Sequence, residues 1–135
     1  MIRLLIVDNQ PSVRQGLQMM LAAEPDLCVI GEATDGAAAL DLATLLRPDI
    51  VLLDVDMPRL DGLATASALR SVCPQASVII LSFHDDACAR KIAANTGAAA
   101  FVAKSMPAAT LLTAIRQVAC QPRGGSIPPV LPHNP

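Results

Sequence analysis

The stretch Asp49-Ile50-Val51-Leu52-Leu53-Asp54-Val55-Asp56-Met57-Pro58, followed by Leu60-Asp61-Gly62, decides how the rest of the chain is read. Its apolar run, Ile50 to Leu53, lies between Asp49 and an acid-rich turn. That is the length and composition of a parallel strand buried on both faces. Asp54 stands where the strand ends. Ligands of open α/β sheets gather outside the carboxyl ends of the strands, so a carboxylate there is placed for chemistry rather than packing.

Outward from this strand, the chain alternates strand and helix signals. Leu4 to Val7 is an apolar run ending at Asp8, and Pro11 suits the first turn of a helix carrying Val13, Leu17, Met20 and Leu21 on one side. A second strand covers Leu27 to Ile30, extending toward Ala33. Asp35-Gly36 then opens a helix through Leu40, Ala43 and Leu46 that stops before Pro48. Beyond the central strand, Asp61 is expected to cap a helix over Leu63 to Val72, with Arg70 facing water. Val78 to Leu81 makes a fourth strand ending at Ser82, and a helix over Ala87 to Thr96 closes on Gly97 as a left-handed cap. Ala98 to Val102 reads as a fifth strand ending near Lys104, and Pro107 starts a last helix carrying Leu111, Leu112, Ile115 and Val118. Five strands alternating with five helices predict an α/β fold, a parallel sheet covered on both faces.

Composition narrows the function. The 135 residues suit one domain. They are 53% hydrophobic but 1% aromatic, with Phe83 and Phe101 the two aromatic residues, which argues against a stacking platform for single-stranded nucleic acid. The net charge of −2, without a Lys/Arg cluster, lacks the electrostatic footprint of a DNA- or RNA-binding chain. No apolar run approaches the roughly 20 residues that span a bilayer, and the N-terminus has no signal-peptide core, so a cytoplasmic location without membrane contact is expected. Cys28, Cys73, Cys88 and Cys120 show no zinc-type spacing and are read as reduced thiols. Gln121 to Pro135 holds five prolines and Gly124-Gly125, the composition of a linker or tail.

Asp8, Asp54, Ser82 and Lys104 follow or end four different strands, so four separate stretches deliver polar groups to one edge of one sheet. Two carboxylates about 4 Å apart repel by roughly 4 kcal/mol at an effective dielectric of 20, unless a cation sits between them. Oxygen ligands from Asp8 and Asp54, with a backbone carbonyl near Asp56, suit Mg²⁺, which expects phosphate oxygens to complete its octahedron. Asp54 is then the natural nucleophile, Lys104 offsets charge on a transferring group, and the Ser82 hydroxyl reaches a phosphoryl oxygen.

With these residues in view, the chain resembles a response-regulator receiver domain of two-component signalling, the CheY-like family, from Ile2 to about Ala119. The likeness is carried by Leu4-Leu5-Ile6-Val7-Asp8-Asn9, Leu52-Leu53-Asp54-Val55-Asp56-Met57-Pro58, Asp61-Gly62-Leu63, Ser82, Gly97-Ala98 and Phe101-Val102-Ala103-Lys104. The resemblance implies a flavodoxin-like sheet of order 2-1-3-4-5, Mg²⁺ dependence, and phosphorylation of Asp54 by a sensor histidine kinase. It also implies a switch in which Ser82 moves toward the phosphoryl group and Phe101 turns into the space left behind.

Val7-Asp8-Asn9-Gln10-Pro11, Val13-Arg14-Gln15-Gly16-Leu17, Gly31-Glu32-Ala33, Asp35-Gly36 and Lys104-Ser105 are similar to the NarL/FixJ subfamily, whose receivers precede a LuxR-type helix-turn-helix. That resemblance implies a receiver over 1–120, a linker over 121–135, and dimerisation on activation. DNA binding would reside in a C-terminal module absent from these residues, the chain being either shortened or a free-standing domain.

One departure stands out. The family usually places two acids after the first strand; here the position expected to ligate Mg²⁺ directly is Asn9, so a formal charge is lost and weaker metal binding is expected. The loss favours one alternative, a receiver that acts as a protein-interaction module without phosphate. A phosphatase using Asp54-Val55-Asp56 as haloacid-dehalogenase enzymes use their DxD is disfavoured, because the motif lies on the third strand and no cap domain is available to exclude water.

Overall fold

The computed structural model describes residues 1–55, 61–83 and 87–121. Asp56, His84 and the proline-rich 122–135 lie outside them, as do the side chains of Asp61 and Cys88. Five strands alternate with five helices: β1 (Ile2–Val7), α1 (Pro11–Ala22), β2 (Leu27–Ala33), α2 (Gly36–Leu46), β3 (Ile50–Asp54), α3 (Asp61–Val72), β4 (Ser77–Ser82), α4 (Ala87–Asn95), β5 (Ala100–Ala103) and α5 (Ala108–Ala119). The strands form one parallel sheet in the order β2-β1-β3-β4-β5, as expected.

Alternation along the strands divides the core in two. Leu5, Val7, Val51, Leu53 and Ile80 face the layer that holds Ala39, Ala43, Ala66, Leu69 and Ala93 of α2, α3 and α4, together with Phe101. Leu4, Ile6, Ile50, Leu52 and Ile79 face Leu21 of α1 and Leu111, Ala114, Ile115 and Val118 of α5. All of β3 is buried, which is why it reads as an unbroken apolar run.

Local chemistry sets three of the helix ends. Asp35 accepts a hydrogen bond from the Ala38 N–H at 2.8 Å and caps α2. At the other end of α2, Arg3 donates to the carbonyls of Leu46 and Arg47, both at 2.7 Å. Gly97, with φ +82°, turns the chain out of α4 in the left-handed region, and exposed Arg70 donates to its carbonyl at 2.7 Å.

Several boundaries differ from expectation: β1 starts at Ile2 rather than Leu4 and β4 at Ser77 rather than Val78. α3 starts at Asp61 rather than Leu63, α4 ends at Asn95, and Pro107 is the N-cap of α5 rather than its first residue. β5 begins at Ala100 because Ala98 and Ala99 are used in leaving the Gly97 turn. The Ala99 N–H already bonds the Val78 carbonyl, but regular pairing starts at Ala100↔Ile79.

Candidate functional site

The chain passes from β1 to β2 on one side and returns to β3 on the other, so the reversal of strand order falls between β1 and β3. At such a point the connecting loops diverge and leave a crevice at the carboxyl ends. Register then gathers the polar residues. Val7 pairs with Leu53, which sets Asp8 beside Asp54. Asp54 pairs with Leu81 and Ser82 with Ala103, so Ser82 and Lys104 fall on the same rim. The ladders continue past the strand ends, with the Val55 N–H bonding the Leu81 carbonyl at 3.1 Å and the Lys104 N–H the Ser82 carbonyl at 2.7 Å.

β5 lies two strands from β3, roughly 10 Å away, so only a long side chain crosses back. Lys104 does so. Its Nζ is 2.8 Å from Asp54 Oδ1 and 3.2 Å from Asp8 Oδ2, and it bridges two carboxylates that are almost wholly buried. The cation that the paired charges require is thus supplied by the chain itself. The Phe83 ring stacks over the ammonium at 4.9 Å from its centroid while remaining mostly exposed to solvent.

Every polar atom of Asp8 has a partner. Its N–H donates to the Ala33 carbonyl at 3.1 Å, and its carbonyl accepts from Arg14 Nη1 at 2.7 Å. Oδ1 accepts from the Gln10 N–H at 2.9 Å and Oδ2 from Lys104.

Ser82 is buried at the end of β4. Phe101 is 3% exposed, packed into the core of the α2–α3–α4 face, with the Arg90 guanidinium 4.8 Å from its ring centroid. Asn9 is exposed on the rim beside Asp8.

In donor type, the two buried carboxylates with an amide oxygen beside them fit a small, hard dication. In charge they are thin: among the described residues two acids are opposed by one ammonium, and no cluster of three His, Cys, Asp or Glu side chains is arranged to hold a metal.

The structure brings Asp8, Asp54 and Lys104 into contact, puts Ser82 on the same rim and Phe101 in the core beneath, and leaves Asn9 outside. The sequence reading missed Arg14 and Phe83. Phe83 directly follows Ser82 and is one of two aromatic residues, which was a usable signal.

Residues 4–116 match the model of the response regulator receiver domain. The chain belongs to that family. Among similar proteins, the transcriptional regulatory protein LiaR of Bacillus subtilis (strain 168) is 38% identical over 117 residues, covering 86% of this chain and 55% of that protein. The chain spans about half the length of the curated relatives it matches. Among solved structures, the signal receiver domain of the putative response regulator NarL from Mycobacterium tuberculosis superposes with a TM-score of 0.81 at 36% identity, over 87% of this chain and 95% of that one. The CheX–CheY–BeF3–Mg²⁺ complex from Borrelia burgdorferi gives 0.80 at 27% identity, over 89% and 90%. The chain is therefore a receiver domain of the two-component response-regulator type, and its relatives include the LuxR-type regulators NarL, LiaR and DegU.

Proposed function

We propose that Asp54 is the phospho-acceptor of a phosphorelay, charged by a sensor histidine kinase. The observation that carries this reading is the position of the Lys104 ammonium, within 3.2 Å of both Asp8 and Asp54 in a buried, acidic crevice. An Asp54 carboxylate oxygen attacks the phosphorus of a phosphohistidine, the P–N bond breaks, and the phosphoryl group stays on Asp54 as an acyl phosphate. Lys104, freed from pairing with the ionised carboxylate, offsets charge on the phosphoryl oxygens, and the Ser82 hydroxyl donates to one of them. A bound Mg²⁺, held by Asp8 and Asp54 with the Asn9 amide and the Asp56 carbonyl, would neutralise further charge there. The CheY complex with BeF3 and Mg²⁺ supports this by analogy.

Movement of Ser82 toward the phosphoryl group opens space beneath it into which Phe101 turns, and the α4–β5–α5 face carries the change outward. In this reading residues 1–120 are the receiver and 121–135 a linker to a LuxR-type DNA-binding output, with dimerisation on activation, in the cytoplasm. No helix among the described residues is long and apolar enough to cross a membrane.

Incubation with acetyl phosphate and Mg²⁺, followed by intact-mass measurement, tests the assignment. The wild-type chain should gain one phosphoryl group and Asp54→Asn none. A wild-type chain that stays unmodified would instead favour the phosphate-independent interaction module, the reading to which exposed Asn9 lends weight.

A further inference from the structure

Arg14 and Glu32 lie 18 positions apart, each inside a short motif that the phosphoryl chemistry does not use. In the fold they meet. Arg14 Nε donates to Glu32 Oε1 at 3.2 Å, and Gln18, one turn further along α1, donates to Glu32 Oε2 at 2.8 Å. A half-exposed ion pair of this kind is worth little for stability by itself. The same guanidinium, however, turns its Nη1 inward to the Asp8 carbonyl at 2.7 Å, and the Arg14 side chain is only 16% exposed.

We infer that Arg14 is a positioning residue of the acidic crevice, held by Glu32 and Gln18, and that it fixes the Asp8–Asn9 peptide so that these two side chains can hold a divalent cation. The inference rests on the proposed phospho-acceptor reading. Asp8 is the last residue before the turn that carries Asn9. Its N–H is tied to β2 and its Oδ1 to the Gln10 N–H, but the plane of the peptide joining it to Asn9 is set by what its carbonyl meets. A rigid two-pronged guanidinium serves a carboxylate with one prong and that carbonyl with another. With it, the plane is locked between β2 and α1; without it, the peptide can rotate and swing Asn9 away from Asp8. The two motifs are then halves of one device, with β2 supplying the anion that aims an α1 side chain at the end of β1.

Mg²⁺ titration of the folded chain, followed through the amide resonances of Asn9 and Gln10 without any phosphodonor, tests this. Outer-shell partners of metal ligands typically matter by 10–100-fold, so Arg14→Gln should bind Mg²⁺ about 10-fold more weakly. Arg14→Lys keeps the charge but loses the fork, and should bind nearly as poorly as Arg14→Gln. Glu32→Gln should fall between these variants and wild type. In acetyl phosphate labelling, the Mg²⁺ concentration for half-maximal rate should rise in each variant while the rate at saturating Mg²⁺ stays near wild type.

Wild-type Mg²⁺ affinity in all three variants, with only the melting temperature lowered, overturns the inference and leaves a structural pair. Tighter binding by Arg14→Gln together with wild-type binding by Arg14→Lys also overturns it, because it would mean that Arg14 acts as a charge. Failure of the wild-type chain to bind Mg²⁺ or to become labelled removes the phospho-acceptor reading itself, a result distinct from either.

Discussion

Gly62 of α3 presses against the backbone of Asp54: a Cβ at position 62 would lie 2.8 Å from the Asp54 carbonyl oxygen and 2.5 Å from the Val55 Cα. These are main-chain atoms, so neither can swing aside as the end of a side chain can. The start of α3 is thereby seated directly on the residue that ends β3.

Gly62→Ala should therefore destabilise the domain by roughly 2 kcal/mol, within the usual range for forcing extra atoms into a packed site. It should also slow labelling of Asp54, because the relief must come from the backbone that carries it. Urea unfolding and the acetyl phosphate labelling rate check both; wild-type values for the two would show that α3 slides off without cost.

Lys104→Met should leave Asp8 and Asp54 facing each other in a buried crevice without their shared cation. Breaking a buried pair by removing one partner typically costs about 3 kcal/mol or more. The loss should be partly recovered in the double variant Lys104→Met/Asp54→Asn, which removes one of the stranded charges. A coupling of about 1 kcal/mol or more in the cycle is expected by urea denaturation at neutral pH. Additive behaviour would mean that water already solvates the pair.

At the opposite rim, Arg116 of α5 grips Asp26 through Nε and Nη2, both at 2.9 Å, and Glu24 through Nη2 at 2.6 Å. The hydrogen bond from Arg116 holds the Asp26 carboxyl below its ordinary value of 3.8, against a smaller opposing effect of burial. A depressed folded value means that the unfolded chain binds the proton more readily, so this contribution is present above pH 3.8 and fades as pH falls through the lower, folded value. Asp26→Asn should thus lose stability at neutral pH, and the gap to wild type should narrow below pH 3.8. Denaturation midpoints measured across acid pH decide; a gap that persists at the acid extreme assigns the effect to packing.

Thiol reactivity should follow burial. Cys120 is exposed, whereas Cys73 is buried with its thiol toward the Ala43 carbonyl, and burial pushes that thiol above its usual value of 9.0. Alkylation of the native protein at neutral pH should modify Cys120 readily and Cys73 only after unfolding. Early labelling of Cys73, mapped by peptide mass, would reveal local opening between α2 and α3.

The fold was legible because β1, β3 and β4 are buried on both faces and so written as plain apolar runs, and because Pro11, Asp35 and Gly97 mark helix ends by local chemistry. The start of β5 was not legible: Ala98, Ala99 and Ala100 are alike, and what separates them is the geometry of the Gly97 turn. At the site, the polar residues at strand ends could be read in sequence, since a parallel sheet lines up such ends. Arg14 could not be assigned the same way. Its partners are a backbone carbonyl and a carboxylate on another strand, and a carbonyl carries no letter in a sequence.

The Arg116 staple has a mechanical consequence. α5 begins four residues beyond Lys104 and runs about 12 Å to Arg116, where it is pinned to the α1–β2 turn. The C-terminal end of α5 thus lies at the edge of the sheet where the strands begin, opposite the crevice. On the phospho-acceptor reading proposed above, a signal at Asp54 would reach this end of α5 as the tilt of a rod pinned near its far end, and the Arg116 staple would resist that tilt.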